Sequence, residues 1–135
     1  MAQSAASETR EPDADDPVVE IRNASVTYDD GNSYVLDHVS MDVHRHEVIG
    51  VIGESGSGKS MLAESMLDSI PDPGVLRGQI TYNPSDGESI DVLDLSTEEL
   101  RQLRWEEISM VFQGAMSSFN PTMRVGDHFE ETLSA

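Results

Sequence analysis

Eight residues, GESGSGKS at positions 53–60, constrain the fold of this 135-residue chain more than any other segment. They fit the spacing G-x-x-x-x-G-K-[ST], which joins a buried β-strand to a helix and cradles phosphate groups. The flanks supply that context, because the apolar run EVIGVIG precedes the loop and the helix-like SMLAESMLDSI follows it. The sequence therefore predicts an α/β fold in which this loop connects a strand to a helix.

Each residue type in the loop has a physical role in holding phosphate. Glycines allow positive φ and let backbone amides approach an anion without a Cβ in the way. Consecutive N–H groups at the start of a helix then form an anion-binding nest. Lys59 is placed to reach the β- and γ-phosphates, and the Ser60 hydroxyl to ligate Mg²⁺. The alternative is a flexible Ser/Gly turn. The candidate binding residues are Gly53, Glu54, Ser55, Gly56, Ser57, Gly58, Lys59 and Ser60.

The chain is strongly acidic, with 26 Asp and Glu against 8 Lys and Arg and a formal net charge of -18. Lys59 is its single lysine. This balance argues against nucleic acid or an anionic membrane as a partner through general electrostatics. A distributed acidic surface with almost no lysine is similar to that of cytoplasmic proteins from salt-in halophiles, and an acidic mesophilic protein is the alternative. At molar salt the Debye length is roughly 3 Å, so remote carboxylates hardly oppose a bound anion.

Three sequence features bear on the cellular compartment. The chain has no cysteine, which excludes disulfides and thiolate metal sites. No apolar run approaches the ~20 residues of a membrane span, and the N-terminus has no hydrophobic signal core. We therefore expect a soluble, cytoplasmic protein.

The first part of the chain predicts a leader followed by an antiparallel region. Residues 1–16 are small, polar and acidic, which is typical of a disordered leader. VVEIRNASVTY and YVLDHVSMDVH then alternate apolar and polar residues around DDGN, as antiparallel strands with one solvated face do. EVIGVIG is apolar on both faces, which predicts a central parallel strand.

After the loop, the sequence predicts alternating helices and short strands. The helix that begins at the loop must end before Pro71. RGQITY and SIDVLDL are predicted as short strands around the turn NPSDGE. Ser96 and Glu99 have the spacing of a capping box, so a helix is predicted to start there. EISMVFQ predicts another short apolar strand, and VGDHFEETL predicts a final helix.

The segment VTYDDGNSYVLDHVSMDVHRHEVIGVIGESGSGKS resembles the opening of ATP-binding-cassette (ABC) ATPase domains. The resemblance implies a P-loop NTPase core with an antiparallel β subdomain, with residues 17–135 forming the first half of an ABC nucleotide-binding domain. It also implies that Tyr28 stacks on the adenine of ATP, with Tyr34 as the weaker candidate. An ordinary strand residue of high β propensity is the alternative for Tyr28.

DVLDLSTEELRQLRWEEISMVFQ, with the later MSSFNPTMRVGDHFEETL, resembles the Q-loop region of one ABC subfamily. That subfamily comprises the ATPase subunits of dipeptide and oligopeptide importers, including nickel-type relatives. The resemblance implies that Gln113 contacts Mg²⁺ and the attacking water, and that its loop couples the nucleotide site to a membrane partner. Gly114 and Ala115 depart from the acidic residue and proline usual after this glutamine, a departure that bears on the coupling rather than on nucleotide binding.

Two other polar groups have simpler interpretations. His44 and His46 flank Arg45 where glycine is common in the family. Two histidines at i, i+2 on a strand could bind a metal, but without further nearby ligands a plain turn is expected. Asp94 follows a short apolar run that Asp91 interrupts, so Asp94 is interpreted as a solvated turn or pre-cap residue.

The resemblance implies the ATP-binding subunit of an ABC importer that couples ATP hydrolysis to uptake of di- or oligopeptides. The implied partners are a second ATPase subunit in a homo- or heterodimer, integral membrane permease subunits and, indirectly, a solute-binding protein. The implied location is the cytoplasmic face of the membrane.

The chain contains neither an LSGGQ-like signature nor an apolar strand ending in Asp-Glu (the Walker B motif). Two predicted parallel strands also make a poor sheet. We therefore expect a truncated domain that is inactive on its own. A non-catalytic nucleotide-binding remnant and another P-loop enzyme, such as a small nucleotide kinase, are the alternatives.

Overall fold

A computed structural model describes residues 16–29, 31, 33–114 and 119–134. The leader predicted for residues 1–16 lies outside these residues except for Asp16. The elements are β1 Pro17–Thr27, β2 Tyr34–His44, α1 Lys59–Ser65, β3 Val75–Tyr82, β4 Ile90–Asp91, a 3-10 helix Val92–Asp94, α2 Thr97–Glu106 and α3 Val125–Leu133. The four strands form one antiparallel sheet in the order β2-β1-β3-β4.

The predicted antiparallel region is confirmed, and β1 is its central strand. β1 pairs antiparallel with β2 on one side and with β3 on the other. Arg22 of β1 supports the first pairing, because its guanidinium binds the Asp42 carboxylate of β2 and the Glu20 carboxylate of its own strand. These ion pairs are partly solvated and each contributes little, so the sheet depends mainly on its buried face.

The core lies on the side of the sheet that α2 covers. Ile21 of β1 and its partner Ile80 of β3 are completely buried, and so is Ala24, which follows a register shift in β1. Leu100 and Leu103 of α2 pack on them at helical spacing. The buried cluster comprises Val19, Ile21, Ala24, Ile80, Tyr82, Val92, Leu100 and Leu103.

The capping box predicted for α2 is confirmed. The Ser96 hydroxyl accepts a hydrogen bond from the Glu99 amide at 3.4 Å, and a Glu99 carboxylate oxygen accepts one from the Ser96 amide at 2.9 Å. The bond from the Ser96 side chain lowers the pKa of Glu99 below its usual range. The box satisfies donors that would otherwise be unpaired at the start of the helix.

Arg104 of α2 binds the backbone that follows the end of α1. Its Nε and Nη2 donate to the Leu67 carbonyl at 3.0 and 2.7 Å, and Nη2 also donates to the Asp68 carbonyl at 2.7 Å. These carbonyls follow the last turn of α1, where backbone acceptors have no helical partner. α1 is therefore held at the end opposite to the loop at residues 53–58.

Two strand predictions are wrong for this structure. Residues 47–53 and 107–113 are not strands, although both runs are apolar. The side chains of Val48 and Ile52 are each 96% exposed, and that of Val111 is 89% exposed. A parallel strand needs hydrogen-bonded neighbours, and no segment within the described ranges pairs with either run.

The strand predicted for SIDVLDL is shorter than expected. β4 covers only Ile90 and Asp91, and a 3-10 helix follows directly. The Asp91 carboxylate accepts a hydrogen bond from the Leu93 amide at 3.1 Å, which turns the chain out of the sheet. Asp94 lies exposed in that 3-10 helix, just before the Ser96 cap, so its interpretation as a solvated pre-cap residue is confirmed.

Truncation of Ile80 will show whether the sheet face is the stabilising core. Ile80→Ala removes a side chain with no solvent exposure and should lower the free energy of unfolding by about 2–5 kcal/mol. Val48→Ala is the control, because its side chain is 96% exposed and its loss should change stability by less than about 0.5 kcal/mol. Urea unfolding measures both values, and equal effects would contradict this assignment of the core.

The phenol of Tyr82 should make stability depend on alkaline pH. Burial, together with a 2.5 Å hydrogen bond to Glu107, raises the pKa of Tyr82 from 10.0 to about 12. Because the folded chain holds this proton more tightly, its contribution to stability is complete below pH 10 and is lost as the pH rises through about 12. Between pH 9 and pH 11, the free energy of unfolding measured with urea should fall less for Tyr82→Phe than for the unaltered chain.

Candidate functional site

The loop at residues 53–58 has the backbone that its glycines predict. Gly56 and Gly58 have φ of +81° and +88°, a region that residues with a Cβ rarely adopt. The Ser57 amide donates to the Glu54 carbonyl at 3.2 Å and closes a turn within the loop. α1 begins directly afterwards at Lys59, and the Leu62 amide makes the first helical bond to the Gly58 carbonyl at 2.9 Å.

Gly58 packs against the backbone of β2. A Cβ added at Gly58 would lie 2.7 Å from the Val35 carbonyl oxygen and 3.1 Å from Leu36 Cδ2. Only glycine therefore fits here, both for its φ and for this contact. The contact places the end of the loop on the antiparallel sheet.

The ammonium of Lys59 folds back over the loop that precedes it. Nζ donates to the Gly53 carbonyl at 2.9 Å, to the Glu54 carbonyl at 2.6 Å and to the Ser57 hydroxyl at 3.3 Å. An ammonium has three donors, so these bonds use its full capacity. A polyphosphate that binds here would replace neutral acceptors by charged ones, which form stronger bonds.

The structure brings five of the eight predicted loop residues together with Gln113 around one cavity of about 290 Å³, whereas Gly53, Glu54 and Ser57 do not line it. Gln113 lies in a turn with Gly114, far along the chain from the loop. The Ser60 hydroxyl has no hydrogen bond to any other described residue, so its oxygen is available to a ligand. The cavity is lined by Val35, Ser55, Gly56, Gly58, Lys59, Ser60, Met61 and Gln113.

Neither tyrosine lines the cavity, but Tyr28 contacts a residue that does. The Tyr28 hydroxyl donates to the thioether sulfur of Met61 at 3.7 Å, and Met61 lines the same cavity as Lys59. Tyr34 lies in a separate cavity of about 60 Å³ with Arg77, and its ring centroid is 6.1 Å from that of His38. Of the two aromatic candidates, the structure therefore connects Tyr28 to the loop.

Residues 45–46 form a turn after β2, so the prediction of a plain turn at His44, Arg45 and His46 is confirmed. The Glu47 carboxylate accepts a hydrogen bond from the His44 amide at 2.8 Å, which lowers the pKa of Glu47. Within the ranges that the structure covers, no group of three or more His, Asp or Glu residues could hold a metal ion.

Sequence reasoning missed Val35 and Met61 as lining residues. Val35 is an exposed residue near the start of β2. It lies far from the loop in sequence, and nothing in its local pattern indicates that the two are in contact. Met61 follows the motif by one position and could have been found as the next residue of the first helical turn. Of the helices in the described part of the chain, none combines the length and apolarity needed to cross a membrane.

The steric role of Gly58 can be separated from its φ. Gly56→Ala and Gly58→Ala both force a Cβ into positive φ, at a cost of roughly 1–2 kcal/mol. Gly56 has nothing within 4 Å of its added Cβ, whereas Gly58 meets the Val35 carbonyl. Overpacking of this kind costs about 1–3 kcal/mol, so Gly58→Ala should destabilise the chain by at least about 1 kcal/mol more in urea unfolding. Equal losses would contradict the packing of the loop on β2.

Comparison with known proteins identifies relatives over most of the chain. The ABC transporter family model matches residues 36–134. The dipeptide transport ATP-binding protein DppD of Caldanaerobacter subterraneus subsp. tengcongensis is 39% identical over 107 residues, covering 78% of this chain and 31% of that protein. The oligopeptide transport ATP-binding protein OppD of Salmonella typhimurium is 35% identical over 127 residues, covering 93% and 36%. The probable D,D-dipeptide transport ATP-binding protein DdpD of Escherichia coli is 38% identical over 114 residues, covering 82% and 33%.

The chain spans about a third of the length of these curated relatives. The residues matched to the family model include positions 53–60 and Gln113. The chain belongs to the ABC transporter family.

Proposed function

We propose that residues 17–135 form the ATP-binding front part of an ABC importer subunit and bind MgATP at the loop of residues 53–60. The observation that carries the proposal is the shared cavity of Lys59, Ser60 and Gln113. An ammonium held on loop oxygens, next to backbone turned by two positive-φ glycines, is suited to the negative charge of a polyphosphate.

The oxygen atoms at this cavity fit Mg²⁺. The Ser60 hydroxyl and the Gln113 side-chain carbonyl are hard oxygen donors, which Mg²⁺ prefers, and it keeps several waters when it binds with a nucleotide. Mg²⁺ supplies positive charge to the phosphate oxygens. Ser60 and Gln113 would hold the ion, and Lys59 would bind the phosphates.

Tyr28 is proposed to stack on the adenine ring. Its side chain is connected to the loop through Met61, and 37% of it remains exposed. Aromatic side chains bind nucleobases through the π face that every base presents. Tyr28 would therefore contribute to binding of the base, and the loop to binding of the phosphates.

The transport function rests on the relatives, whose names describe ATP-binding proteins of dipeptide and oligopeptide transport. We propose ATP hydrolysis coupled to di- or oligopeptide uptake for the complete subunit, located peripherally at the cytoplasmic face of the cell membrane. Its partners would be a second ATPase subunit, membrane permease subunits and, indirectly, a solute-binding protein.

The 135 residues themselves are proposed to bind ATP without hydrolysing it. They contain no signature sequence and no strand ending in Asp-Glu that would supply a carboxylate to the attacking water. Membership of the ABC family argues against a small nucleotide kinase.

Removal of the Lys59 ammonium should abolish most ATP binding. Hydrogen bonds to charged groups contribute about 1.5–3 kcal/mol, so Lys59→Ala should raise the Kd for MgATP at least tenfold in calorimetric titration. Ser60→Ala should weaken binding only when Mg²⁺ is present, because its proposed role is to ligate the ion.

Arg101→Ala is the matched control for the loss of one positive charge. Arg101 lies exposed on α2, paired with Glu98 at 2.7 Å, and its loss should leave the Kd for MgATP within about twofold because solvated charges are screened. A similar weakening by both variants would mean that net charge, rather than the loop, controls binding. It would overturn the proposed site.

A further inference from the structure

Tyr28 contacts two residues that the family motifs do not include, Met61 in the first turn of α1 and Gly74 before β3. We propose that Gly74 and Met61 are positioning residues, which fix Tyr28 relative to the loop and so set the affinity for the base of a nucleotide, not for its phosphates. The inference rests on the proposed function, since it assumes that a nucleotide binds at the loop.

The pairing of β1 with β3 brings Tyr28 and Gly74 together. Thr27, the last residue of β1, pairs with Val75, the first residue of β3. In an antiparallel pair the next residue on one strand lies opposite the preceding residue on the other. Tyr28 and Gly74 are therefore neighbours at the end of this ladder, and any change of register would separate them.

Gly74 leaves the space that the Tyr28 ring occupies. A Cβ added at Gly74 would lie 2.9 Å from Tyr28 Cε1, 2.6 Å from Ile70 Cγ2 and 2.9 Å from the Pro71 carbonyl oxygen. Gly74 also donates its amide to that carbonyl at 2.9 Å, so its backbone is fixed in a turn. A methyl group here cannot be accommodated by the backbone and would push against the tyrosine ring.

Met61 holds the other end of the same ring. The Tyr28 hydroxyl donates to the Met61 sulfur at 3.7 Å, within the range of a hydrogen bond to sulfur. Met61 is the third residue of α1, directly after Lys59 and Ser60, and it lines the cavity with them. The contact therefore relates the ring to the residues that would bind phosphate.

The two contacts act at different atoms, Cε1 and the hydroxyl oxygen, so together they define where the ring lies. A nucleoside triphosphate has a limited reach between its base and its phosphates. A displaced ring would lose its stacking on the base, while the loop would keep its hold on the phosphates. Inorganic tripolyphosphate, which has no base, separates these two effects.

The experiment compares ATP with tripolyphosphate, both with Mg²⁺, by calorimetric titration of the full chain. Stacking of one base contributes about 1–3 kcal/mol, so Met61→Leu and Gly74→Ala should each weaken ATP binding about fivefold or more. In both variants the loss of affinity should be larger for ATP than for tripolyphosphate, because tripolyphosphate has no base to stack on Tyr28. Met61→Leu keeps the volume of the side chain, so it tests the inference even where Gly74→Ala impairs folding.

Two controls make the same chemical changes elsewhere. Gly126→Ala adds a methyl group with nothing within 4 Å, and Met66→Leu replaces a methionine just after α1 that packs on the core. Neither should change the ratio of the two dissociation constants. An unchanged ATP affinity in Met61→Leu, or equal loss of both ligands, would overturn the positioning role. Failure of the unaltered chain to bind either ligand would instead overturn the proposed function, and this inference with it.

Discussion

The pairing of β1 with a strand on each side is the constraint on which the candidate site depends. Its pairing with β2 presents the Val35 carbonyl against which Gly58 packs, so it supports the end of the loop. Its pairing with β3 places Gly74 next to Tyr28. Both pairings are maintained by side chains such as Ile21 and Ile80, which have no contact with solvent. Burial of a large aliphatic side chain contributes about 1.5–3 kcal/mol, more than the partly solvated ion pairs of the same strands.

The polyphosphate binding proposed for a chain of net charge -18 relies on interactions that act over a few ångströms. Lys59 contacts loop oxygens at 2.6–3.3 Å. Most acidic residues in the described ranges are exposed to solvent. At physiological ionic strength the Debye length is about 8 Å, so exposed carboxylates farther away are largely screened. Glu54 is the one acidic residue of the loop at residues 53–58, and it contacts the Lys59 ammonium through its backbone carbonyl. This contact with the ammonium therefore depends on the backbone of Glu54 and not on its carboxylate.

The features that could be predicted from the sequence are those that depend on hydrogen bonds and backbone angles within a few residues. The capping box at Ser96 follows from hydrogen bonds within one turn, and the positive φ of Gly56 and Gly58 follows from glycine itself. The strands predicted for residues 47–53 and 107–113 fail because a parallel strand exists only through its neighbours, and apolar composition cannot supply them. The family resemblance predicted Gln113 as a site residue. Met61 and Gly74 were not predicted, because their contacts with Tyr28 join separate elements of the fold. Register and side-chain reach decide those contacts, and a single sequence does not show them.

The loop is supported unequally at its two ends, and this asymmetry explains the bonds of Lys59. Its C-terminal end continues into α1, which packs on β2 through Gly58 and is fastened at its far end by Arg104. Its N-terminal end follows residues 48–52, which are exposed and pair with no strand within the described chain. Lys59 joins the two ends, because its ammonium binds the Gly53 and Glu54 carbonyls from the well-supported side. A phosphate that engages Lys59 must therefore either share these bonds or take over the task of holding the N-terminal end. Under the proposed function, backbone amides of the loop would donate to the phosphate and so hold that end.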